Sequence, residues 1–252
     1  MEHLRINIYP DGDGSNMIRL DKYLCEMSVG SRSQVKEYIK KGRVKVDNEV
    51  VKSADVKIDE NSAIITFDDK VVGYTKVEYY MLNKPAGVVS ATTDNRYRTV
   101  IDIIDDKKRK DLFPVGRLDI DTEGLLVITN DGDMAHRLLS PKKHVSKVYY
   151  ARINGPVTDR HIELFKEGLI LKDGTKALPG NLKIINSADE SEIELEIFEG
   201  KFHQVKKMFE AIDLKVLYLK RISMGKLKLD NTLEIGSYRK LTDEEVKLLN
   251  ER

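Results

Sequence analysis

Leu20, Tyr23, Leu24 and Met27 recur at the spacing of one helix face, and Gly30 closes that helix. Ser31-Arg-Ser-Gln34 has the pattern of a capping box and opens a second helix, with Val35, Tyr38 and Ile39 on its apolar side and Gly42 as its stop. Val44, Val46, Val50 and Val51 predict two short strands turning at Asp47-Asn48, and Ala63 to Thr66 predicts a third. Together 17–67 make one small module, near the lower size limit for independent stability. Residues 1–16 carry no apolar period and include the turn-rich run Asp11-Gly-Asp-Gly-Ser-Asn16. They are expected to be a disordered tail or an extension ahead of Met17. The polar stretch 68–76, which contains Gly73, is expected to be a linker.

The pattern changes over 77–252, where strand and helix signals alternate. Tyr79-Tyr-Met-Leu82 is a short apolar run halted at Lys84-Pro85-Ala-Gly87. Leu125 to Thr129 is a buried strand between Gly124 and Asn130-Asp-Gly132, and Lys147 to Ile153 is another strand. Thr158 is placed to cap a helix through Ile162 and Phe165. Ile193, Leu195 and Ile197 alternate with glutamates, the mark of a half-buried strand. Gln204 to Ala211 is a short basic helix, and Thr242-Asp-Glu-Glu245 opens a last one. The fold class expected is α+β, with a mainly antiparallel mixed sheet and flanking helices.

Composition narrows the function classes. No run of about 18 apolar residues exists, so no membrane span is expected. A basic-then-apolar leader is also missing, and the single cysteine, Cys25, suits a reducing cytosol and excludes cysteine-rich zinc sites. A cytoplasmic location is therefore expected. Net charge is +1, yet Met17 to Lys57 holds 10 Lys/Arg against 6 Asp/Glu, enough local excess to hold a phosphate backbone or simply to solvate a surface.

The chemistry-bearing segment is Gly116-Arg-Leu-Asp-Ile-Asp-Thr-Glu-Gly124, three carboxylates and an arginine directly before the buried strand. Asp119-x-Asp121-x-Glu123 begins like a calcium loop, but the twelfth position, where that loop needs glutamate, is Asn130. Asp119 and Asp121 also resemble a glycosidase pair, a reading weakened by the lack of tryptophan to stack sugars. No phosphate loop, zinc-binding H-E-x-x-H or serine-nucleophile elbow is present, and the five histidines are scattered. No metal site is expected. On spacing alone, Tyr149 reads equally as a core tyrosine, and Lys206 as a solvated helix residue.

Six motifs in chain order resemble the RsuA/RluB/RluE/RluF family of pseudouridine synthases. These are Leu82-Asn-Lys-Pro-Ala-Gly-Val88, the Gly116–Gly124 run with Leu125-Leu126, Ser140-Pro141 with Lys147-Val-Tyr149, Glu199 to Met208, Leu219-Lys-Arg221 with Met224-Gly225, and Leu241 to Glu245. Residues 17 to about 65 resemble the S-four RNA-binding domain that precedes the catalytic domain in that family. The resemblance implies the pseudouridine synthase fold for 77–252. It implies Asp119 as the catalytic carboxylate, Arg117 filling the gap left by an extracted base, Tyr149 against that base, and Lys206 paired with Asp119. His203 before Gln204-Val205-Lys206 leans toward the family's small-subunit branch.

That reaction breaks the bond between a base nitrogen and the ribose and reattaches uracil through a ring carbon. Nothing is oxidised or consumed, so no cofactor is expected. A carboxylate near the anomeric carbon serves as nucleophile or base. The nucleotide must leave the stack, at a cost of a few kcal/mol. The expected substrate is 16S ribosomal RNA in a small-subunit assembly intermediate, at the family's usual target, uridine 516. The same chemistry on 23S ribosomal RNA and a non-catalytic assembly factor are the alternatives. Arg19, Lys22, Arg32, Lys36, Lys40, Lys41 and Arg43 are expected to contact RNA phosphates, in a protein acting as a monomer.

Overall fold

The computed structural model describes residues 17–251; the expected tail, 1–16, lies outside the described residues. The chain separates into two units. The first runs through Val77 and also takes Asp106–Asp111; the second comprises Glu78–Asp105 and the chain from Leu112 onward.

The first unit contains β1 (Met17–Arg19), α1 (Leu20–Glu26), α2 (Arg32–Lys40), β2 (Val44–Val46), β3 (Glu49–Val50), β4 (Lys57–Asp59), β5 (Ile65–Phe67) and β6 (Lys70–Val71). Leu20, Tyr23 and Leu24 are buried, as their period requires, although α1 stops at Glu26, ahead of Gly30. The Ser31 capping box forms: the Ser31 N–H donates to Gln34 Oε1 at 2.9 Å, and Ser31 Oγ accepts from the Gln34 N–H. Asp47 and Asn48 both take positive φ and turn β2 into β3.

The stretch 68–76 is not a free linker. β6 pairs with β5. Tyr23 Oη donates to the Val72 carbonyl at 2.6 Å, and Tyr74 stacks on Tyr23 with ring centroids 4.9 Å apart. β6 itself is exposed, and only Val72 and Tyr74 pack, partly buried, against the core of this unit, too few to leave a period in the sequence. Arg109, from the inserted segment, is 4% exposed and donates to Glu26 Oε2 at 2.8 Å and Asp111 Oδ2 at 2.6 Å. A boundary drawn linearly at residue 67 misses both features.

The second unit follows as β7 (Tyr79–Lys84), β8 (Phe113–Pro114), β9 (Glu123–Thr129), α3 (Gly132–Leu139), β10 (Lys147–Ile153), α4 (Asp159–Glu167), β11 (Asn181–Asn186), β12 (Ser191–Ile197), α5 (Gln204–Glu210), β13 (Val216–Met224), β14 (Leu227–Lys228), β15 (Tyr238–Lys240) and α6 (Asp243–Asn250). Among the described residues its sheet has nine strands in the path β11-β12-β10-β13-β9-β7-β15, with β14 on β13 and β8 on β9. Neighbours along the path are antiparallel except β13 and β9, which run parallel. The α+β class and the mainly antiparallel sheet are as the sequence predicts.

Both faces of the sheet centre are covered. Leu126 and Ile128 of β9 enter the core that holds Phe165 and Phe209, while Leu125 and Val127 enter the opposite core with Met134, Leu138 and Leu249. This double burial is why β9 reads as a continuous apolar run, where β12, open on one face, alternates. Each fully buried Leu or Ile contributes about 1.5–3 kcal/mol. Among the described residues no helix is long and apolar enough to cross a membrane.

Candidate active site

The loop Gly116–Thr122 enters β9 and is held from both ends. Gly124 has φ +99°, and a Cβ there would lie 2.2 Å from the Arg221 carbonyl oxygen. Only glycine permits this approach, which seats the parallel pairing of Glu123–Gly124 on Lys220–Arg221. At the other end, Ser90 Oγ donates to the Leu118 carbonyl at 2.9 Å and accepts the Leu118 N–H at 3.0 Å.

Lys84 lies beneath the loop and is fully buried. Its ammonium donates to the carbonyls of Thr122 at 2.9 Å, Pro85 at 3.0 Å and Asp119 at 3.1 Å, with Ile120 at 3.4 Å. The buried ammonium thus donates into a ring of four backbone carbonyls. Burial pushes Lys84 down to about 8, against the pull of Asp121, Glu123 and Asp119. The Gly87 N–H donates to the Ile120 carbonyl at 2.7 Å. The Asn-Lys-Pro-Ala-Gly run after β7 is therefore the cradle of the Asp119 loop.

Asp119 projects from this fixed backbone with its side chain 23% exposed. It lines a small cleft of about 50 Å³, together with Arg117, Thr122, Tyr149, Lys201 and His203. Lys206 Nζ lies 3.3 Å from Asp119 Oδ2, and His203 Nε2 lies 3.6 Å from Oδ1. Lys206 also donates to Asp121, at 2.6 Å and 2.9 Å. Burial pulls the Lys206 ammonium down, but the Asp121 hydrogen bond and the two carboxylate charges outweigh it, so the net shift is upward. Burial likewise raises Asp121, and Lys206 more than offsets it, leaving Asp121 below the usual carboxylate range.

The first turn of α5 is placed by Gln204, which is 3% exposed. Its Oε1 accepts the Lys201 N–H at 2.9 Å, and its Nε2 donates to Glu199 Oε1 at 2.7 Å. His203, before α5, takes φ 54°, the left-handed region, and stacks on Phe202 with centroids 3.7 Å apart. Tyr149 sits on β10 opposite Leu195 and Arg221, 8% exposed, packed in the core and bordering the cleft. Arg117 is exposed and forms no salt bridge among the described residues.

The structure thus brings Asp119, Arg117 and Tyr149 to one cleft, with Lys206 against Asp119. Sequence reasoning missed Lys84, His203 as a neighbour of Asp119, and Asp121 as the nearer partner of Lys206. A lysine ending an apolar strand run was the available signal for Lys84. The seven residues expected to contact RNA phosphates are all exposed, but four are already paired. Arg19 binds Asp21, Lys22 lies 3.7 Å from Glu26, Lys41 lies 2.6 Å from Glu37, and Arg43 binds Asp68. Arg32, Lys36 and Lys40 follow one side of α2 without an ion pair among the described residues.

The family model for RNA pseudouridylate synthase matches residues 78–211, and that for the S4 domain matches 18–64. The chain is 43% identical to the ribosomal small subunit pseudouridine synthase A of Vibrio parahaemolyticus, over 91% of this chain and 98% of that protein. It is 44% identical to an uncharacterised RNA pseudouridine synthase of Bacillus subtilis, over 93% of this chain and 99% of that one. A crystal structure of a pseudouridylate synthase, 37% identical, superposes with a TM-score of 0.65 and covers 92% of this chain and 99% of its own. An S4 unit followed by a cleft-bearing α+β unit defines the class, and the chain belongs to the RNA pseudouridylate synthase family. It is an isomerase that acts on RNA.

Proposed function

We propose that this enzyme converts one uridine of small-subunit ribosomal RNA to pseudouridine, with Asp119 as the catalytic carboxylate. The observation that carries the reading is the Asp119 carboxylate, held at the cleft by a backbone pinned by Lys84 and Ser90, with Lys206 Nζ 3.3 Å away. The reaction breaks the bond from the ribose anomeric carbon to the base nitrogen, turns the uracil, and closes a bond to a ring carbon. The proton on that carbon is lost and the freed nitrogen gains one, so composition is unchanged. Asp119 faces the anomeric carbon, Tyr149 holds the extracted base, and Arg117, exposed and without an ion pair among the described residues, fills the vacancy in the stack.

The small-subunit target is supported by the name and near-complete overlap of the Vibrio relative. Uridine 516 within an assembly intermediate is the specific substrate we infer, bound by a single copy of the chain. Arg32, Lys36 and Lys40 supply phosphate contacts that position without reading sequence.

Asp119→Asn tests the core of this reading. It is expected to abolish pseudouridine formation on small-subunit ribosomal RNA while RNA binding changes less than about threefold, because charge is lost at one atom pair only. Product retained at the wild-type rate clears Asp119 of the role. Mapping pseudouridines in ribosomal RNA from cells lacking the protein identifies the target; loss of a large-subunit site instead overturns the choice of RNA.

A further inference from the structure

Phe202 is an aromatic side chain that folding leaves in water. It is 65% exposed and belongs to no hydrophobic cluster of the described residues. Single exposed apolar residues are ordinary. This one differs in where it stands. The residues on either side of it, Lys201 and His203, both line the Asp119 cleft. Its ring stacks on the His203 imidazole, with centroids 3.7 Å apart and planes 20° from parallel. The same imidazole holds its Nε2 3.6 Å from Asp119 Oδ1. Phe202 therefore stands one imidazole ring away from the carboxylate.

The turn that carries Phe202 is built rather than loose. His203 takes φ 54°, a left-handed conformation uncommon outside glycine. Backbone bonds hold it on both sides. The Gln204 N–H donates to the Lys201 carbonyl at 3.2 Å, and the Lys207 N–H donates to the His203 carbonyl at 2.9 Å. The buried Gln204 amide accepts the Lys201 N–H at 2.9 Å, and Lys201 Nζ donates to the Lys176 carbonyl at 2.9 Å. One face of the Phe202 ring rests on His203, and the exposure of the residue leaves the other face open. A flat face already held in place binds with little further ordering.

We infer that Phe202, backed by His203, is the platform on which a base adjoining the target uridine stacks. The inference rests on the reading that the Asp119 cleft holds that uridine. Extraction of a nucleotide distorts the strand at the cleft and costs stacking. Arg117 fills the vacancy itself, and the ring beside the carboxylate receives a neighbouring base drawn out of its own stack. Phenylalanine has no polar atom with which to read a base edge. The platform therefore accepts any base and fixes the register of the strand over Asp119.

The test uses the full-length protein and three small-subunit ribosomal RNA fragments spanning the target: one intact, one abasic immediately 5′ of the target, and one abasic immediately 3′ of it. Phe202→Ala is expected to raise KM for the intact RNA on the order of tenfold with kcat nearly unchanged, the loss of one base–aromatic stack. On one of the two abasic RNAs the wild-type protein is expected to show that same loss, and Phe202→Ala to add nothing to it. Phe202→Tyr keeps the ring and is expected to stay within about twofold of wild type on every RNA. Equal losses for Phe202→Ala on all three RNAs overturn the proposal, because the ring then acts only by holding His203 or the target base. So does an unchanged KM on the intact RNA. Should the alanine variant fail to fold, Phe202→Leu keeps apolar bulk without a ring and reads the same coupling. Failure of the catalytic reading is seen separately, as pseudouridine made by Asp119→Asn.

Discussion

Lys206 donates to both carboxylate oxygens of Asp121, at 2.6 Å and 2.9 Å. The family resemblance pairs it with Asp119, which lies at 3.3 Å. Asp121 is 65% exposed on its side chain, so the pair adds little stability by itself. Its effect is geometric: it steers the ammonium to a point between two carboxylates and keeps it over Asp119.

Lys206→Met leaves Asp119 and Asp121 facing one another without that cation. The expected result is a fall in turnover on the order of 100-fold, since a partly buried charge loses its partner. Asp121→Asn leaves Lys206 free to close on Asp119 and is expected to cost less than about fivefold. Single-turnover rates of the two variants check the difference; equal losses mean that Asp121 is itself essential.

Two buried lysines set the alkaline behaviour of the second unit. Burial pushes Lys84 and Lys147 down to about 8 from the ordinary lysine value of 10.5, the Arg221 charge adding to the effect at Lys147. Below pH 8 both are protonated whether folded or unfolded, and their penalty is constant. Between about 8 and 10.5 the unfolded chain holds protons that the folded one has released, so stability rises with pH. Tyr79 is pushed up to about 12 by burial and by the Asp131 hydrogen bond, so above pH 10 the unfolded chain loses its proton first and stability falls. Urea midpoints for this unit are expected to rise from pH 8 and turn over near 10. A steady decline from pH 8 shows that the carbonyl ring, not burial, governs Lys84.

Gly124→Ala and Gly87→Ala separate crowding from backbone preference. Both glycines have positive φ, but a Cβ at Gly87 meets nothing within 4 Å, whereas one at Gly124 meets the Arg221 backbone at 2.2 Å. Gly87→Ala is expected to cost about 1–2 kcal/mol, the price of the left-handed conformation alone. Gly124→Ala is expected to cost about 3 kcal/mol or more and to abolish turnover by unseating the loop. Thermal unfolding of the two proteins decides; equal losses mean that the β9–β13 contact is not tight.

Arg109→Met tests the role of the inserted segment in the first unit. Arg109 is held by Glu26 and Asp111 and lies 5.9 Å from the Tyr74 ring centroid. Removing the guanidinium leaves Glu26, 18% exposed on its side chain, without this partner. Loss of about 3 kcal/mol is expected, with faster amide exchange across 72–75. Unchanged exchange there shows that residues 68–76 hold without the clasp.

Much of the architecture was legible in the chain because it rests on local periods. Helices α1 and α2, the capping boxes at Ser31 and Thr242, the buried strand β9 and the alternating strand β12 each follow from neighbours within a few residues. Asp119, Arg117, Tyr149 and Lys206 are proposed through motifs, which record residue types in order. What order cannot record is distance across the fold. Which carboxylate lies nearer Lys206 turns on tenths of an ångström between groups 85 residues apart. Lys84 beneath the loop, the close approach of Gly124 to Arg221, the return of Arg109 to the first unit and the pairing of four expected RNA contacts were settled only by tertiary packing. Local propensity selects the elements; which charges find partners depends on where the sheet brings them.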